Sequence, residues 1–142
     1  MRIGEAARQA GVGVETIRFY ELKGLIDQPG RPKNGGYRDY SDQEVRCVLF
    51  IRSAQQLGFS LSEIGELLAL KTSPAAQCVE VREKATAKLH EVHVKIENLG
   101  KIKRALRILI ESCPGEGPAV NCSIMNAITE GDLDLEMTLE WK

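Results

Sequence analysis

An all-α-dominated chain, with a small N-terminal helical domain followed by one long pairing helix, is predicted by three observations. The first 60 residues break into short helical stretches that stop at Gly11, Gly24 and Gly58. Residues 79–112 contain no proline and carry a narrow apolar stripe. Three of the four cysteines, Cys78, Cys113 and Cys122, flank that stretch.

The elements follow in order. Ile3–Ala10 is a short Ala-rich helix that stops at Gly11. A second helix begins near Val14, runs to Lys23 and ends at Gly24. Two short helices joined by a glycine-containing turn match the helix-turn-helix pattern, whose second helix faces the DNA major groove. Ile17 lies at core spacing with Ala10 and Val14, which leaves Thr16, Arg18 and Tyr20 to look outward. A plain helical hairpin is the alternative on these residues alone. Residues 29–40 add a Gly-rich turn, cations and two tyrosines, and Asn34-Gly35 suits a hairpin. A ribbon placed after a helix-turn-helix reads as a wing that grips phosphates with Lys33, Arg38 and the hydroxyls of Tyr37 and Tyr40.

Ser41 or Asp42 can cap a third helix over roughly 42–56, with Glu44 near its third position. Val45, Val48, Leu49 and Ile51 form its expected buried face, and Arg46 and Arg52 face solvent or phosphate. Ser60 caps a fourth helix, Leu61–Leu70, with Leu61, Ile64, Leu67 and Leu68 on its apolar side. Thr72-Ser73-Pro74 is a linker into the long helix.

On that helix Ala85, Leu89, Val92, Ile96 and Leu99 alternate steps of four and three. Ile102, Leu106, Leu109 and Cys113 continue after a shift of phase. A stripe this long needs a second helix, and no other stretch of the chain is long enough, so homodimerisation is the economical answer. The helix would be about 50 Å long, which keeps Cys78 from the Cys113 and Cys122 of its own chain. An antiparallel partner would bring them together, three thiols at each end of the pair. Thiols so placed in a reducing compartment suit a soft metal better than a disulfide framework. Pro114 ends the helix, Cys113–Cys122 forms a loop, and a last short helix runs from Ser123 to about Ile128.

Composition agrees with this organisation. The 142 residues carry a net charge of −1, spread unevenly. Residues 1–57 hold nine Lys/Arg against seven Asp/Glu, and residues 113–142 hold one against six. The acidic tail thus hides a mildly basic front. No apolar run approaches the roughly 18 residues needed to span a bilayer, and the N-terminus lacks a signal-peptide core. A cytoplasmic chain with reduced thiols and no membrane partner is expected. Cys47, in an apolar helix, reads as a packed thiol; His90 and His93, mid-helix, read as solvated or packed. Asp132, Asp134 and Glu136 read as a solvated face, and residues 130–142 as a patternless tail. No Ser/His/Asp set or acid–base pair stands out, so the chain does not read as an enzyme.

Val14–Glu21, Gly36–Tyr40 and Ser53–Ile64 together resemble the MerR family of transcription regulators, over about residues 1–128. The resemblance implies a winged helix-turn-helix DNA-binding domain, linker helices, and an antiparallel coiled-coil dimer with effector sites in C-terminal metal-binding loops. The expected divisions are 1–70 for the DNA-binding and linker-helix domain, 71–78 for a hinge, 79–112 for the dimerisation helix, 113–129 for the metal-binding loop and short helix, and 130–142 for the tail. Cys78, Cys113 and Cys122 look like the mercury-responsive members, and lead-responsive members share much the same spacing. Copper-type members place Ser near position 78. Zinc-type members add an adjacent Cys and a loop His, where this chain has Pro114 and none. Three soft thiolates suit Hg(II) in a plane or Pb(II) in a pyramid better than tetrahedral Zn(II). Cd(II) with water or Glu116 as a fourth ligand stays open. The resemblance further implies a dimer on double-stranded promoter DNA with RNA polymerase, repressing without metal and activating by bending and untwisting the DNA when Hg(II) binds. Two rivals are a thiol-redox regulator built on Cys113 and Cys122, and a metal-sequestering dimer with no DNA footprint.

Overall fold

The computed structural model describes residues 1–131, 133 and 135, so Asp132, Asp134, Glu136 and Trp141 lie outside the described residues. Its helices are α1 (Ile3–Ala10), α2 (Val14–Leu22), α3 (Asp42–Gln56), α4 (Leu61–Thr72), α5 (Cys78–Ser112) and α6 (Ser123–Glu130), and no strand occurs among the described residues. The chain divides into two compact units, Met1–Glu83 and Lys84–Lys142, each described by itself.

Local chemistry explains the boundaries in the first unit. Gly11 closes α1 in the left-handed conformation, donating its N–H to the carbonyls of Ala7 and Arg8. Ser41 and Glu44 form a reciprocal capping box at the start of α3, and Ser60 and Glu63 repeat it at α4. Satisfying two orphan donors at each start is worth about 1 kcal/mol per helix. Three helices meet over a common core of Ala6, Ala7, Ala10, Ile17, Val45, Val48 and Ile51, with Ile64 of α4 packed beneath. Ile17, Ile51 and Ile64 are 0% exposed. Alanines on α1 let the helices approach closely, and the isoleucines fill the space between them.

Three expectations are corrected here. Leu49, expected in the core, is exposed, because it lies off the Val45–Val48–Ile51 face that α1 covers. The wing is not a β-ribbon. Asn34-Gly35 does turn the chain, with the Gly35 N–H donating to the Pro32 carbonyl at 3.0 Å. Pro29 and Pro32, however, remove ladder donors, and Gly30, Gly35 and Gly36 resist extension. The segment is instead held by side chains: Arg38 Nε donates to the Pro29 carbonyl at 2.8 Å. Its end is tied to the chain start, where the Tyr40 N–H donates to the Met1 carbonyl at 2.6 Å and the Met1 amine pairs with Asp39. Finally, α6 runs two residues past Ile128 and is capped by Gly131, so the tail begins later than expected.

Residues 73–77 form no helix between α4 and α5. In α5 the stripe residues Leu89, Val92, Ile96, Leu99 and Leu106 are exposed within one chain, Ile96 at 60%. Val94 and Asn98, on the other side of the helix, are buried. Lys88 Nζ pairs with Glu91 at 2.8 Å. No helix among the described residues is long and apolar enough to cross a membrane.

Candidate functional site

Two constellations carry chemistry, one in each unit. The first is a cleft of about 1100 Å³ between the start of α1, α2 and the 29–40 loop. Arg2, Arg8, Arg18, Arg31 and Arg38 all line it, with Tyr37 and Tyr40. Arg8 pairs with Glu5, one turn back on α1. Five guanidiniums around one concavity focus positive potential far more than the unit's near-neutral charge suggests. The arrangement fits a phosphate backbone.

The structure sorts the expected DNA-facing residues. Thr16 is half-buried on α2, and Arg18 is exposed and lines the cleft. Lys33 stands exposed on the turn, and Tyr37 is 69% exposed. Arg52 is exposed and lies beside the α1–α2 turn, near Gly11.

Tyr20 and Tyr40 depart from expectation. Tyr20 is only 2% exposed, and its hydroxyl donates to Gln55 Oε1 at 2.6 Å. Tyr40 is 4% exposed, and its hydroxyl donates to Glu21 Oε2 at 3.0 Å. Each ring fills core space that helical and loop periodicity had left open, and each hydroxyl finds an internal acceptor. Burial pushes the Tyr20 phenol up, opposed by the nearby Arg52. Burial, reinforced by the bond to Glu21, pushes the Tyr40 phenol up to about 12. Both therefore brace α2 against α3 and the loop rather than presenting hydroxyls to a ligand. Cys47 is half-buried, and burial pushes its thiol up, as suits a packed, inert cysteine.

The second constellation is a thiol pair. Ser123 Oγ donates to the Ser112 carbonyl at 3.3 Å, fastening the start of α6 to the end of α5. Between them Gly115 and Gly117 take φ of 79° and 99°, a left-handed conformation that costs other residues about 1–2 kcal/mol. The loop so closed brings Cys113 Sγ within 3.8 Å of Cys122 Sγ. That is too long for a disulfide bond of about 2 Å. It is the separation of two thiolates on one ion, each bond about 2.3 Å long with a tetrahedral angle between them. Cys122 is the cap of α6, and the backbone N–H groups of Met125 and Ile124 hold its thiol below the usual cysteine range. Cys78 is the exposed first residue of α5. Among the described residues no three His, Cys, Asp or Glu side chains converge within the single chain. One chain thus offers two thiols, which leaves room for a third ligand from elsewhere.

The sequence matches two family patterns: the MerR HTH family regulatory protein pattern over residues 1–71, and the MerR DNA-binding pattern over residues 45–109. The chain belongs to the MerR family. It is a DNA-binding transcription regulator, in a family of regulators rather than enzymes. It is 41% identical over 127 residues to a mercuric resistance operon regulatory protein of Bacillus cereus, covering 89% of this chain and 96% of that one. Among solved structures, a MerR-type regulator of Ralstonia metallidurans in complex with lead(II) superposes with a TM-score of 0.79 at 35% identity, covering 90% of this chain and 98% of the other. The dual-function MerR of Bacillus megaterium MB1 in complex with mercury(II) superposes with a TM-score of 0.67 at 36% identity, covering 91% and 99%.

Sequence reading missed Arg2, Arg8 and Arg31 in the cleft. Arg8 and Arg2 were hidden in a helix read for its alanines, and Arg31 in a loop read for its turn. A count of cations in the first 57 residues was the only available signal, and it carries no direction.

Proposed function

We propose that this MerR-family protein is a metal-responsive switch that binds promoter DNA as a homodimer. It represses without metal and activates by distorting the DNA when Hg(II) is held by Cys113 and Cys122 of one subunit and Cys78 of the other. The observation that carries this reading is the Cys113–Cys122 pair, 3.8 Å apart in one chain. Hg(II) would supply a soft Lewis acid that draws three thiolates together. The resulting site is anionic, and the N–H groups at the start of α6 suit that charge. The exposed stripe Leu89–Val92–Ile96–Leu99 supports pairing of α5 with a second copy.

Closing the site would join the C-terminal loop of one subunit to the start of α5 in the other. The non-helical residues 73–77 lie just before that point, between Cys78 and the DNA-binding helices. A pull on Cys78 would thereby bias the DNA-binding domain toward the bent, untwisted promoter, aligning its elements for RNA polymerase. A second reading keeps this architecture and replaces Hg(II) with Pb(II); the higher TM-score to the lead(II) complex favours it.

The test is in-vitro transcription from the native promoter, titrating Hg(II), Pb(II), Cd(II), Zn(II) and Cu(I) separately on wild type and Cys78→Ser. Activation by sub-micromolar Hg(II), lost in the variant, is the expected result. A stronger response to Pb(II) keeps the site and changes the metal. A variant that responds like wild type would remove Cys78 from the site.

A further inference from the structure

Arg2 stands apart from the other cleft arginines. It precedes α1 in extended conformation, and its carbonyl accepts the first helical N–H groups, from Glu5 and Ala6 at 3.1 Å each. Its backbone is therefore fixed by the start of a helix. Its guanidinium carbon lies 3.8 Å from the centroid of the Tyr37 ring, on a segment 35 positions away. No carboxylate pairs with Arg2 among the described residues. The planar cation is thus held at both ends while the N–H edge of the fork stays free. It faces the cleft that Arg18 and Arg38 also line. A guanidinium stacked on an aromatic face is already ordered, so it loses little side-chain freedom when it binds a planar or tetrahedral oxyanion.

We infer that Arg2 stacked on Tyr37 is a phosphate clamp, which grips one phosphate of the bound DNA bidentately beside α2. The inference rests on the DNA-binding reading and deepens it. Tyr37 acts here through its ring face, as the platform that aims Arg2, in addition to whatever its hydroxyl touches. A phosphate contact carries no sequence information, so the clamp serves affinity and register rather than base choice.

The test measures affinity against salt concentration for promoter and unrelated duplexes, using the full-length protein, R2A, Y37A and the double variant. Circular dichroism checks that each variant is folded. R2A is expected to weaken binding to both duplexes about tenfold, the loss of one charge-assisted contact. It should also make the slope of log K against log salt shallower by about one counterion. Y37A should keep more of the slope but lose affinity, because the charge remains and its aim is gone. The double variant should be little worse than R2A alone, showing that the two act as a unit. An unchanged affinity and slope in R2A overturns the clamp. So does a loss confined to the promoter duplex with an unchanged slope, which would mark a base contact. Strictly additive losses in the double variant would overturn the role given to Tyr37. Wild type that binds neither duplex would instead sink the DNA-binding reading, and the clamp with it.

Discussion

The two units solve the burial problem differently. Residues 1–83 complete a core within one chain: α1, α2, α3 and α4 share Ile17, Val48, Ile51 and Ile64, and capping boxes close the starts of α3 and α4. From residue 84 onward the chain instead offers an apolar stripe to solvent along α5 and two thiols where a metal would want three. The first region is finished as a monomer. The second is written for a partner. Stability and assembly should therefore separate, each responding to its own residues.

The sharpest way to break that contrast is Ile96→Glu. A carboxylate placed on the stripe of both subunits would be desolvated in the dimer, at several kcal/mol per copy. Dimerisation should weaken at least about a hundredfold by analytical ultracentrifugation, while protection of α1–α4 amides in hydrogen exchange is retained. Loss of protection across residues 1–83 would mean that the two regions do not fold independently.

Ile51→Ala probes the other side. Ile51 is 0% exposed at the centre of the core, and truncation should cost about 2–5 kcal/mol in chemical denaturation. Dimer affinity at low denaturant should barely move. An equal loss of both would erase the distinction drawn here.

Tyr40→Phe is the smallest and most local test. The Glu21 carboxylate keeps one buried oxygen without a partner and would lose the only bond to the other, at about 1–3 kcal/mol. A pH signature accompanies it. The folded phenol is raised to about 12, so the unfolded chain, with Tyr ionising near 10, releases this proton first as pH rises. The stabilisation is complete below pH 10 and is lost between about 10 and 12. Tyr40→Phe should make the stability profile flatter across that window, and a profile parallel to wild type would remove Tyr40 from it.

Reading from sequence succeeded wherever the physics is local. The bounds of α1 and α3, both capping boxes, and the long helix without proline follow from residues within about four positions of each other. The spacing of Cys78, Cys113 and Cys122 was equally legible, because it is a property of order along the chain. The wing was half legible: Asn34-Gly35 announced a turn, yet Pro29 and Pro32 denied it the ladder of a ribbon. The α5 stripe was legible as a pattern, while the burial of Val94 and Asn98 opposite it was not.

What the sequence by itself determined, then, is where helices begin and end, which faces are apolar, and how far apart the thiols lie in order. Only the tertiary structure decided that Tyr20 and Tyr40 turn inward, that Arg2 rests on Tyr37, and that Cys113 and Cys122 meet. The physical reason is common to all three. Aromatic, cationic and thiol side chains are amphipathic or soft, equally at home in water or against a neighbour. Their direction is set by whichever segment packs there: Gln55 against Tyr20, Glu21 against Tyr40, and the Ser112–Ser123 latch around the thiol loop. Those neighbours are distant in sequence, and no periodicity records them.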